Sequence, residues 1–221
     1  MNLPVTKRAQ RKAATRAAVL RAAREEFHQQ GYDRAKIVDI ARAADVSPGT
    51  VLNAAPTKIA LLCEVMADDF QRLAQETESL AACQDGDLTV CIKALLDLHL
   101  ERHLEDIELF RAAIGHNWLT NEADFKSLHL SLEDAWSPVR SLLNCAVKDP
   151  ANGLYDCPDL LTESLLDLYL GVLRRCVIHD WTPSVAREQL HCRLDIVFHD
   201  RQPESGLHSQ KNGRHEGRAG R

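Results

Sequence analysis

The stretch DVSPGTVLNAAPTK, residues 45–58, decides the fold of the N-terminal part of the chain. Ser47 followed by Pro48 is typical of a helix start, because serine caps free amides and proline has no amide to satisfy there. Thr57 predicts the start of the next helix in the same way. Upstream, apolar residues at helical spacing predict a short helix over 37–44. Two short helices joined by a tight turn form a helix-turn-helix.

Apolar residues three and four apart continue through the chain, and no alternating run predicts a strand. The sequence therefore predicts an all-α fold, in which a three-helix N-terminal domain precedes a larger helical domain. The predicted segments are a basic arm over 1–14, a helix-turn-helix domain over 15–60, a helical domain over 61–200 and a polar, disordered tail over 201–221. The predicted helices span 15–30, 37–44, a third from Ser47, 57–82, 88–103, 107–116, 122–147 with a kink or break at Pro138, 158–179 and 182–199.

Charge is distributed unevenly along the 221 residues, whose net charge is −5. Residues 1–58 hold 11 Lys and Arg against 5 Asp and Glu, while the remainder holds 16 basic and 27 acidic residues. A basic N-terminal domain on an acidic body favours an anionic partner for that domain alone, and nucleic acid is the commonest such partner.

Cysteine spacing and hydropathy limit the class of protein. The seven cysteines form no CxxC pair, so neither a disulfide framework nor a structural zinc site is predicted. The basic N-terminus is followed by no continuous apolar segment, and no run approaches the roughly 20 residues that span a bilayer. We therefore expect a cytoplasmic protein with no cofactor and no membrane partner.

The last two predicted helices carry more apolar surface than one neighbour can cover. Two apolar stripes run along residues 158–179, which predicts contact on two sides. One side is predicted to join the following helix in a four-helix interface with a second copy of the chain. The residues of this predicted interface are Leu166, Tyr169, Leu173, Val177, Leu190, Leu194 and Val197. The alternative is the central helix of a monomeric bundle.

Three segments together resemble the N-terminal domain of the TetR family of transcriptional regulators. They are AAVLRAAREEFHQQGYD (17–33), IVDIARAADVSPGTV (37–51) and PTKIALLCEVM (56–66). The resemblance implies a homodimer whose recognition helices read a palindromic double-stranded DNA operator, usually as a repressor. It also implies a C-terminal helical domain whose small-molecule effector weakens DNA binding by linkage.

The resemblance also implies which residues contact DNA. Lys58 matches a lysine that typically meets a phosphate. Ser47, Gly49 and Thr50 match the start of the recognition helix, where amides and a hydroxyl reach phosphate or base edges. Asn53 occupies a commonly polar position. We expect these five residues to form the DNA contact.

The recognition helix departs from the family pattern at three positions. Leu52 replaces a tyrosine that commonly bonds a phosphate, and Ala54 and Ala55 replace an aromatic pair. Losing a packed ring costs roughly 3 to 5 kcal/mol where the core does not collapse around it. Leu52 is instead expected to lie against a thymine methyl group.

Other cations are expected to replace the lost phosphate contact. Lys36 stands where the family often has a threonine, so the following helix loses a side-chain cap but gains a cation near the same phosphate. Arg11, Lys12 and Arg16 belong to the basic arm, which we expect to follow the DNA backbone or enter a minor groove. The alternative is an arm that is merely solvated.

The larger domain contains aromatic residues in the region where the family builds its effector pocket. The predicted pocket residues are Phe110, Trp118, Phe125, His129, Trp136 and Tyr169. His99 and His103 share a helix face through their i, i+4 spacing, yet no HExxH pattern is completed. We therefore expect no metal site, and core or pocket positions for these histidines.

The sequence thus predicts a homodimeric TetR-like repressor that a small-molecule effector releases from its operator. The alternative is a TetR-like helical dimer that has lost operator binding and acts as a ligand-binding or protein-interaction module. An enzyme is not expected, since no glycine-rich phosphate loop, nucleophile elbow or paired-carboxylate signature is present.

Overall fold

The computed structural model describes residues 6–82, 86–117, 123–147 and 157–199, and every regular element in these ranges is a helix. The helices are α1 (Lys7–Gln30), α2 (Ile37–Ala43), α3 (Pro48–Ala54), α4 (Lys58–Ala81), α5 (Leu88–Glu105), α6 (Ile107–Asn117), α7 (Ala123–Ala135), α8 (Ser137–Val147), α9 (Pro158–His179) and α10 (Pro183–His199). The predicted all-α fold is confirmed. The predicted tail over 201–221 lies outside the described residues.

Helix α1 is longer than the sequence predicted. It begins at Lys7, where Thr6 caps it by accepting the Ala9 amide at 3.3 Å. Lysine, arginine and alanine are strong helix formers, so the basic stretch continues the helix. From residue 7 onwards the predicted arm is therefore helical, which corrects the predicted start at Thr15. Gly31, at φ 76°, ends the helix as predicted.

The turn between α2 and α3 has the predicted geometry. Asp45 adopts φ 53°, a left-handed conformation that aspartate visits more readily than most residues. Ser47 then caps α3 by accepting the Thr50 amide at 3.1 Å, and Pro48 occupies the first turn. These local signals orient α3 against α2, and the packed pair forms the helix-turn-helix.

Helix α4 links the two parts of the molecule. It begins after Thr57, whose hydroxyl accepts the Ala60 amide at 3.0 Å, and continues without a break to Ala81. It packs against α1 on one side and against α5, α7 and α8 on others. The predicted domain boundary at residue 60 therefore lies inside one helix. We call α1–α3 the head and α5–α10 the body, with α4 common to both.

The body contains the break that the sequence predicted near Pro138. Helix α7 ends at Ala135 and α8 begins at Ser137, which places the proline in the first turn of α8. Trp136 lies between the two helices, and its side chain is buried. Beyond them, α9 packs on α8 and α10, and α10 packs on α5.

The apolar stripe predicted to form the dimer interface lies inside the single chain. Tyr169, Leu190 and Leu194 are fully buried, Leu166 and Leu173 nearly so, and Val177 and Val197 are half-buried. Helices α9 and α10 thus direct most of this stripe, including Tyr169, Leu190 and Leu194, into the core of their own protomer. The large apolar residues that these two helices leave exposed are Leu160, Ile178, Val185 and Ile196.

Within the part of the chain that the structure describes, no single helix is long and apolar enough to cross a bilayer, and α3 with α4 reaches that composition only as a pair bent by 60°.

Candidate nucleic-acid interface and effector cleft

The exposed surface of α3 brings together the residues that the sequence selected for base contact. Ser47, Gly49 and Asn53 are exposed, and Thr50 is half-buried beside them. The hydroxyls of Ser47 and Thr50 lie 2.9 Å apart, so one donates to the other while Ser47 also caps the helix. The first turn of α3 is thereby held in one conformation. Because α3 contains no charged side chain, it offers hydroxyl, amide and apolar groups to a partner.

Two exposed apolar side chains belong to the helix-turn-helix. Leu52 exposes 44% of its surface on α3, and Val38 exposes 51% on α2. Leu52 is the residue predicted to lie against a thymine methyl group, whereas the exposure of Val38 was not predicted, because an apolar residue in a short amphipathic helix gives no signal of exposure. Ala55, where the family has an aromatic residue, is buried, and its backbone amide donates to the Val51 carbonyl at 3.0 Å in the last turn of α3.

Lys58 lies at a different contact from the one predicted. Its ammonium group donates to the carbonyl oxygens of Tyr32 at 2.8 Å, Asp33 at 3.0 Å and Ala35 at 3.2 Å. It also lies 4.6 Å from the centre of the Tyr32 ring. A lysine has three protons to donate, and all three are used here. Lys58 therefore fastens the loop between α1 and α2 to the start of α4 and has no proton left for a phosphate.

The other predicted cations of the head separate into two groups. Arg11, Lys12 and Lys36 are exposed and form no ion pair with any described residue. Arg16 instead pairs with Glu64 of α4, so its charge is partly neutralised. Lys36 precedes α2 and, as expected, gives that helix no side-chain cap. The cations left to meet an anionic backbone are thus the first three.

In the body, three of the predicted pocket residues meet in one buried cluster. Phe110, Trp136 and Tyr169 surround the rings of His99 and His103. The centres of the His103 and Phe110 rings are 4.3 Å apart, and those of Trp136 and Tyr169 are 5.4 Å apart. We call these five residues the aromatic cluster.

The remaining predicted pocket residues do not join the aromatic cluster. His129 is exposed on α7, and its Nε2 lies 3.2 Å from Glu133 one turn further on. Among the described side chains of α7, which packs against α4, the buried ones are Leu128, Leu132 and Ala135, and His129 lies outside this buried stripe. Trp118 lies outside the described residues. Phe125 belongs to α7, but its side chain also lies outside the described part.

The hydrogen bonds of His99 define its tautomer. The Thr77 hydroxyl donates to the Leu73 carbonyl at 2.7 Å, so it accepts from His99 Nε2 at 3.0 Å. The proton of His99 is therefore on Nε2, and Nδ1 carries a lone pair. Burial lowers the pKa of His99 to about 3. The imidazole is neutral at physiological pH.

His103 is bound to Tyr169, with 2.5 Å between Nδ1 and the phenol oxygen. Burial, together with the neighbouring His99, lowers the pKa of His103 well below its ordinary value. Burial also raises the pKa of Tyr169 well above its ordinary value. Both groups are therefore uncharged, and one hydrogen bond joins them.

The aromatic cluster contains buried polar atoms that lack hydrogen bonds. Among the described residues, nothing bonds to His99 Nδ1, His103 Nε2 or Trp136 Nε1. Each such atom costs about 1 to 3 kcal/mol of desolvation when left unpaired in the folded state. Sites of this kind mark places where a structure is completed by water or a ligand.

A cleft of about 290 Å³ opens beside this cluster, between α1, α4, α5 and α6. We call it the junction cleft, because Arg24 of the head forms part of its wall. Its floor is apolar apart from one imidazole and consists of Met66, Phe70, Leu73, His103, Leu109 and Phe110. Its rim is charged and consists of Arg24, Asp69, Arg72, Glu76, Arg102, Glu105 and Asp106.

The rim charges are already paired with one another. Arg24 is paired with Asp69. Arg102 is paired with Glu76 and with Glu105, at 2.8 Å in both cases. Burial raises the pKa of Asp69, and the adjacent arginines oppose that effect. The rim therefore links the head to α4 and α4 to α5. No group of three metal-ligating side chains was found in the ranges that the structure covers.

The sequence profile described as "Bacterial regulatory proteins, tetR family" matches residues 19–65. No curated relative matched the sequence.

Several solved structures share the fold. Thermus thermophilus FadR, a TetR-family transcriptional repressor in complex with lauroyl-CoA, aligns with a TM-score of 0.67 and 20% identity over 89% of this chain and 100% of that chain. RolR in complex with resorcinol aligns with a TM-score of 0.65 and 20% identity over 86% and 90%. The fatty acid degradation regulator FadR from Bacillus halodurans aligns with a TM-score of 0.63 and 19% identity over 80% and 96%. At these identities the likeness establishes the fold.

Proposed function

We propose that the chain, whose residues 19–65 match the profile of the TetR family, acts as a homodimeric repressor that a small-molecule effector releases from DNA. The observation that carries this proposal is the exposed, internally fixed surface of α3. Two such surfaces in a dimer read the two half-sites of a palindromic operator in the cytoplasm.

The proposed DNA contact divides between base edges and phosphates. Thr50 and Asn53 supply the hydrogen-bonding groups, and Leu52 supplies an apolar contact suited to a thymine methyl group. Arg11, Lys12 and Lys36 supply the phosphate contacts, since their charges are not paired within the described ranges. Lys58 acts indirectly by holding the loop that precedes α2.

The proposed dimer uses the faces of α9 and α10 that the protomer leaves exposed. Ile178 exposes 57% of its surface and Ile196 exposes 76%. Together with Leu160 and Val185 they are the large apolar residues exposed on these two helices. A second copy placed there buries them and pairs α9 and α10 in a four-helix arrangement.

The proposed effector site is the body next to the aromatic cluster. Two proteins of the same fold bind small molecules, one lauroyl-CoA and the other resorcinol. The junction cleft contacts both α1 and α4, so a ligand in it acts on the head directly. Linkage then requires that the ligand lowers the affinity for DNA by the same factor by which DNA lowers the affinity for the ligand.

Titration of the full chain against a labelled fragment of its own promoter region, by fluorescence anisotropy at several salt concentrations, tests the proposal. We expect a saturable, sequence-dependent complex whose affinity falls steeply with salt. The double variant Thr50→Val, Asn53→Ala removes two hydrogen-bonding groups and should weaken specific binding by about 10-fold or more. The exposed body variant His129→Gln serves as the control. Binding equal on promoter and unrelated DNA would refute operator recognition.

Sedimentation of the variant Ile196→Glu tests the dimer. A carboxylate in the centre of an apolar interface should shift the chain from dimer to monomer at micromolar concentration. The matched control is Leu130→Glu, at an exposed leucine on α7. Equal dissociation of both variants would contradict the assignment of this face.

The second candidate function is a helical dimer that has lost operator binding. Leu52, Ala54 and Ala55 favour it, because they remove a phosphate-bonding hydroxyl and an aromatic pair from the recognition helix. The same titration separates the two, since this candidate predicts no sequence-dependent complex with either the parent chain or the double variant.

A further inference from the structure

We propose that the junction cleft takes a neutral, mainly apolar molecule carrying a carbonyl or hydroxyl oxygen, which accepts a hydrogen bond from Nε2 of His103. Naming this molecule as the effector rests on the function proposed above. Its binding to the cleft stands on separate observations, namely the direction of one hydrogen bond, the position of one imidazole and the pairing of the rim charges.

The direction of the hydrogen bond between Tyr169 and His103 determines whether Nε2 of His103 is a donor or an acceptor. If the imidazole donated from Nδ1, the phenol proton of the fully buried Tyr169 would need another acceptor, and none is found in the described ranges. The phenol therefore donates to Nδ1, and a neutral His103 carries its proton on Nε2. That N–H has no acceptor among the residues the structure describes. The missing partner is thus an acceptor.

The position of His103 directs this donor towards the junction cleft. Of the three unpaired atoms in the aromatic cluster, only that of His103 belongs to a residue of the cleft floor. Its Nδ1 side is held by Tyr169 in the core, so Nε2 lies at the other side of the ring. Phe110 covers the His103 ring at 4.3 Å between centres and also lines the cleft. Because Nε2 is buried, the proposal requires this phenyl ring to rotate away so that the ligand oxygen can reach the donor.

The floor around His103 selects an apolar body for the ligand. Phe70 and Phe110 present their rings, and Met66, Leu73 and Leu109 complete a surface without another polar side chain. Apolar contact of this kind supplies most of the affinity of small-molecule sites, while one or two placed polar groups fix orientation. A single donor on an apolar floor fits a molecule with one oxygen at the end or edge of a hydrocarbon frame.

The charges of the rim exclude an anion from the same position. Four carboxylates and three guanidinium groups line the cleft. All three arginines are engaged: Arg24 and Arg72 with Asp69, and Arg102 with Glu76 and Glu105. An anionic ligand would have to break one of these pairs and approach the remaining carboxylates. A neutral acceptor does neither, so the cleft favours the neutral member of any otherwise similar pair.

Two matched pairs of compounds test this selectivity by isothermal titration calorimetry on the full chain. Benzamide and benzoate share an aromatic body, and octan-1-ol and octanoate share a linear one. In at least one pair we expect the neutral member to bind at millimolar concentration or tighter and at least 3-fold more tightly than its anion. Tighter binding of the anions, or no binding by any of the four compounds, would overturn the proposal.

A pair of substitutions tests the role of His103. The double variant His103→Phe, Tyr169→Phe removes donor and partner together and leaves no new unpaired group in the core. It should lower the affinity for the neutral compound by about 3- to 10-fold, the range expected for the loss of one neutral hydrogen bond. His129→Phe, at an exposed position, should leave the affinity unchanged. Unchanged affinity in the folded double variant would contradict the assigned donor.

A rim substitution gives a second readout in a chain whose core is untouched. Glu105→Gln removes an exposed carboxylate and releases part of the Arg102 guanidinium. We expect benzoate or octanoate to gain about 1.5- to 5-fold in affinity while the neutral compound changes little. An equal change for both members of a pair would show that charge does not select the ligand.

The outcomes remain distinct from those of the DNA titration. Selective binding of the neutral compound without a specific DNA complex would support the cleft and refute the repressor. A specific DNA complex together with preference for the anions would support the repressor and refute the cleft chemistry.

Discussion

The head and the body differ in how completely their polar groups are hydrogen-bonded. In the head, the caps of α3 and α4 are filled by Ser47 and Thr57, and the ammonium of Lys58 donates all three protons. In the body, the aromatic cluster retains three polar atoms without a bond among the described residues. Among the described residues, the head thus contains no buried side-chain polar atom without a hydrogen bond, whereas the aromatic cluster has capacity for a further hydrogen-bonding group.

This difference matches the two proposed roles, DNA recognition by the head and ligand binding by the body. A surface that reads a fixed operator gains from side chains that are already satisfied and ordered before contact. A ligand site needs donors or acceptors whose best partner is the ligand. Three predictions test the contrast, beginning with the largest expected effect.

The largest effect is loss of stability in acid, and it should originate in the body. Burial holds the pKa of His99 at about 3 in the folded chain, against 6.5 for an unfolded histidine. Between these values the unfolded state binds a proton that the folded state does not, so stability falls as pH falls. From pH 7 to pH 5, His99 alone should cost about 2 kcal/mol of unfolding free energy, and His103 acts in the same direction.

Urea denaturation across this pH range measures the effect. The variant His99→Leu, His103→Phe should show a smaller decrease between pH 7 and pH 5 than the parent chain, whatever its stability at pH 7. His129→Gln, which alters an exposed histidine, should retain the parent's slope. A parent chain equally stable at both pH values would contradict the buried, neutral state of the pair.

A smaller effect is expected when Lys58 is replaced by methionine. The substitution keeps the aliphatic stem but leaves the carbonyls of Tyr32, Asp33 and Ala35 without the charged donor, which should cost about 1 to 3 kcal/mol. Thermal or urea denaturation measures this loss, with Lys126→Met on the surface of α7 as the control.

The same variant separates a structural lysine from a phosphate contact. Loss of a phosphate contact lowers the slope of log affinity against log salt by about 0.9. We expect Lys58→Met to weaken DNA binding while leaving this slope unchanged, because its charge does not face the backbone. A slope reduced by about one unit would return Lys58 to the DNA interface.

The smallest effect is expected at the cap of α3. Ser47→Ala removes the acceptor for the Thr50 amide and should destabilise the chain by about 1 kcal/mol. Ser79→Ala is the matched control, because that hydroxyl donates to Gln75 within α4 and caps nothing. Equal stability of the two variants would contradict the importance of this cap.

The head could be predicted from sequence because its signals are local. Ser47, Thr57 and Gly31 act on the backbone within three or four residues, and each lies where its type predicts a helix end. Lys58 could not be assigned correctly in this way. Its partners are 23 to 26 residues away in the chain, and only the tertiary fold brings them to the ammonium group.

In the body, the positions of the helices could be predicted from the sequence, but which face of each helix is buried could not. The bounds 158–179 of α9 and the break beside Pro138 followed from periodicity and proline. Which apolar faces of α9 and α10 point into the protomer depends on the neighbouring helices, so Tyr169, Leu190 and Leu194, which are buried inside the chain, were assigned to the dimer interface. The histidines show the same limit, since i, i+4 spacing put His99 and His103 on one face but could not identify Tyr169 and Thr77 as their partners.

Under the proposed function, the unbroken course of α4 would carry a tilt of this helix from the ligand site in the body to the DNA-binding head. At about 1.5 Å per residue, its 24 residues span about 36 Å. Arg24 of α1 is tied to Asp68 and Asp69 on α4, so the head follows this helix. Tilting α4 by only about 5° at its body end displaces the head end by about 3 Å, close to the spacing of one base pair, about 3.4 Å. In the proposed two-fold dimer, the displacement would occur in both heads, and the distance between the two recognition helices would change by up to twice that amount.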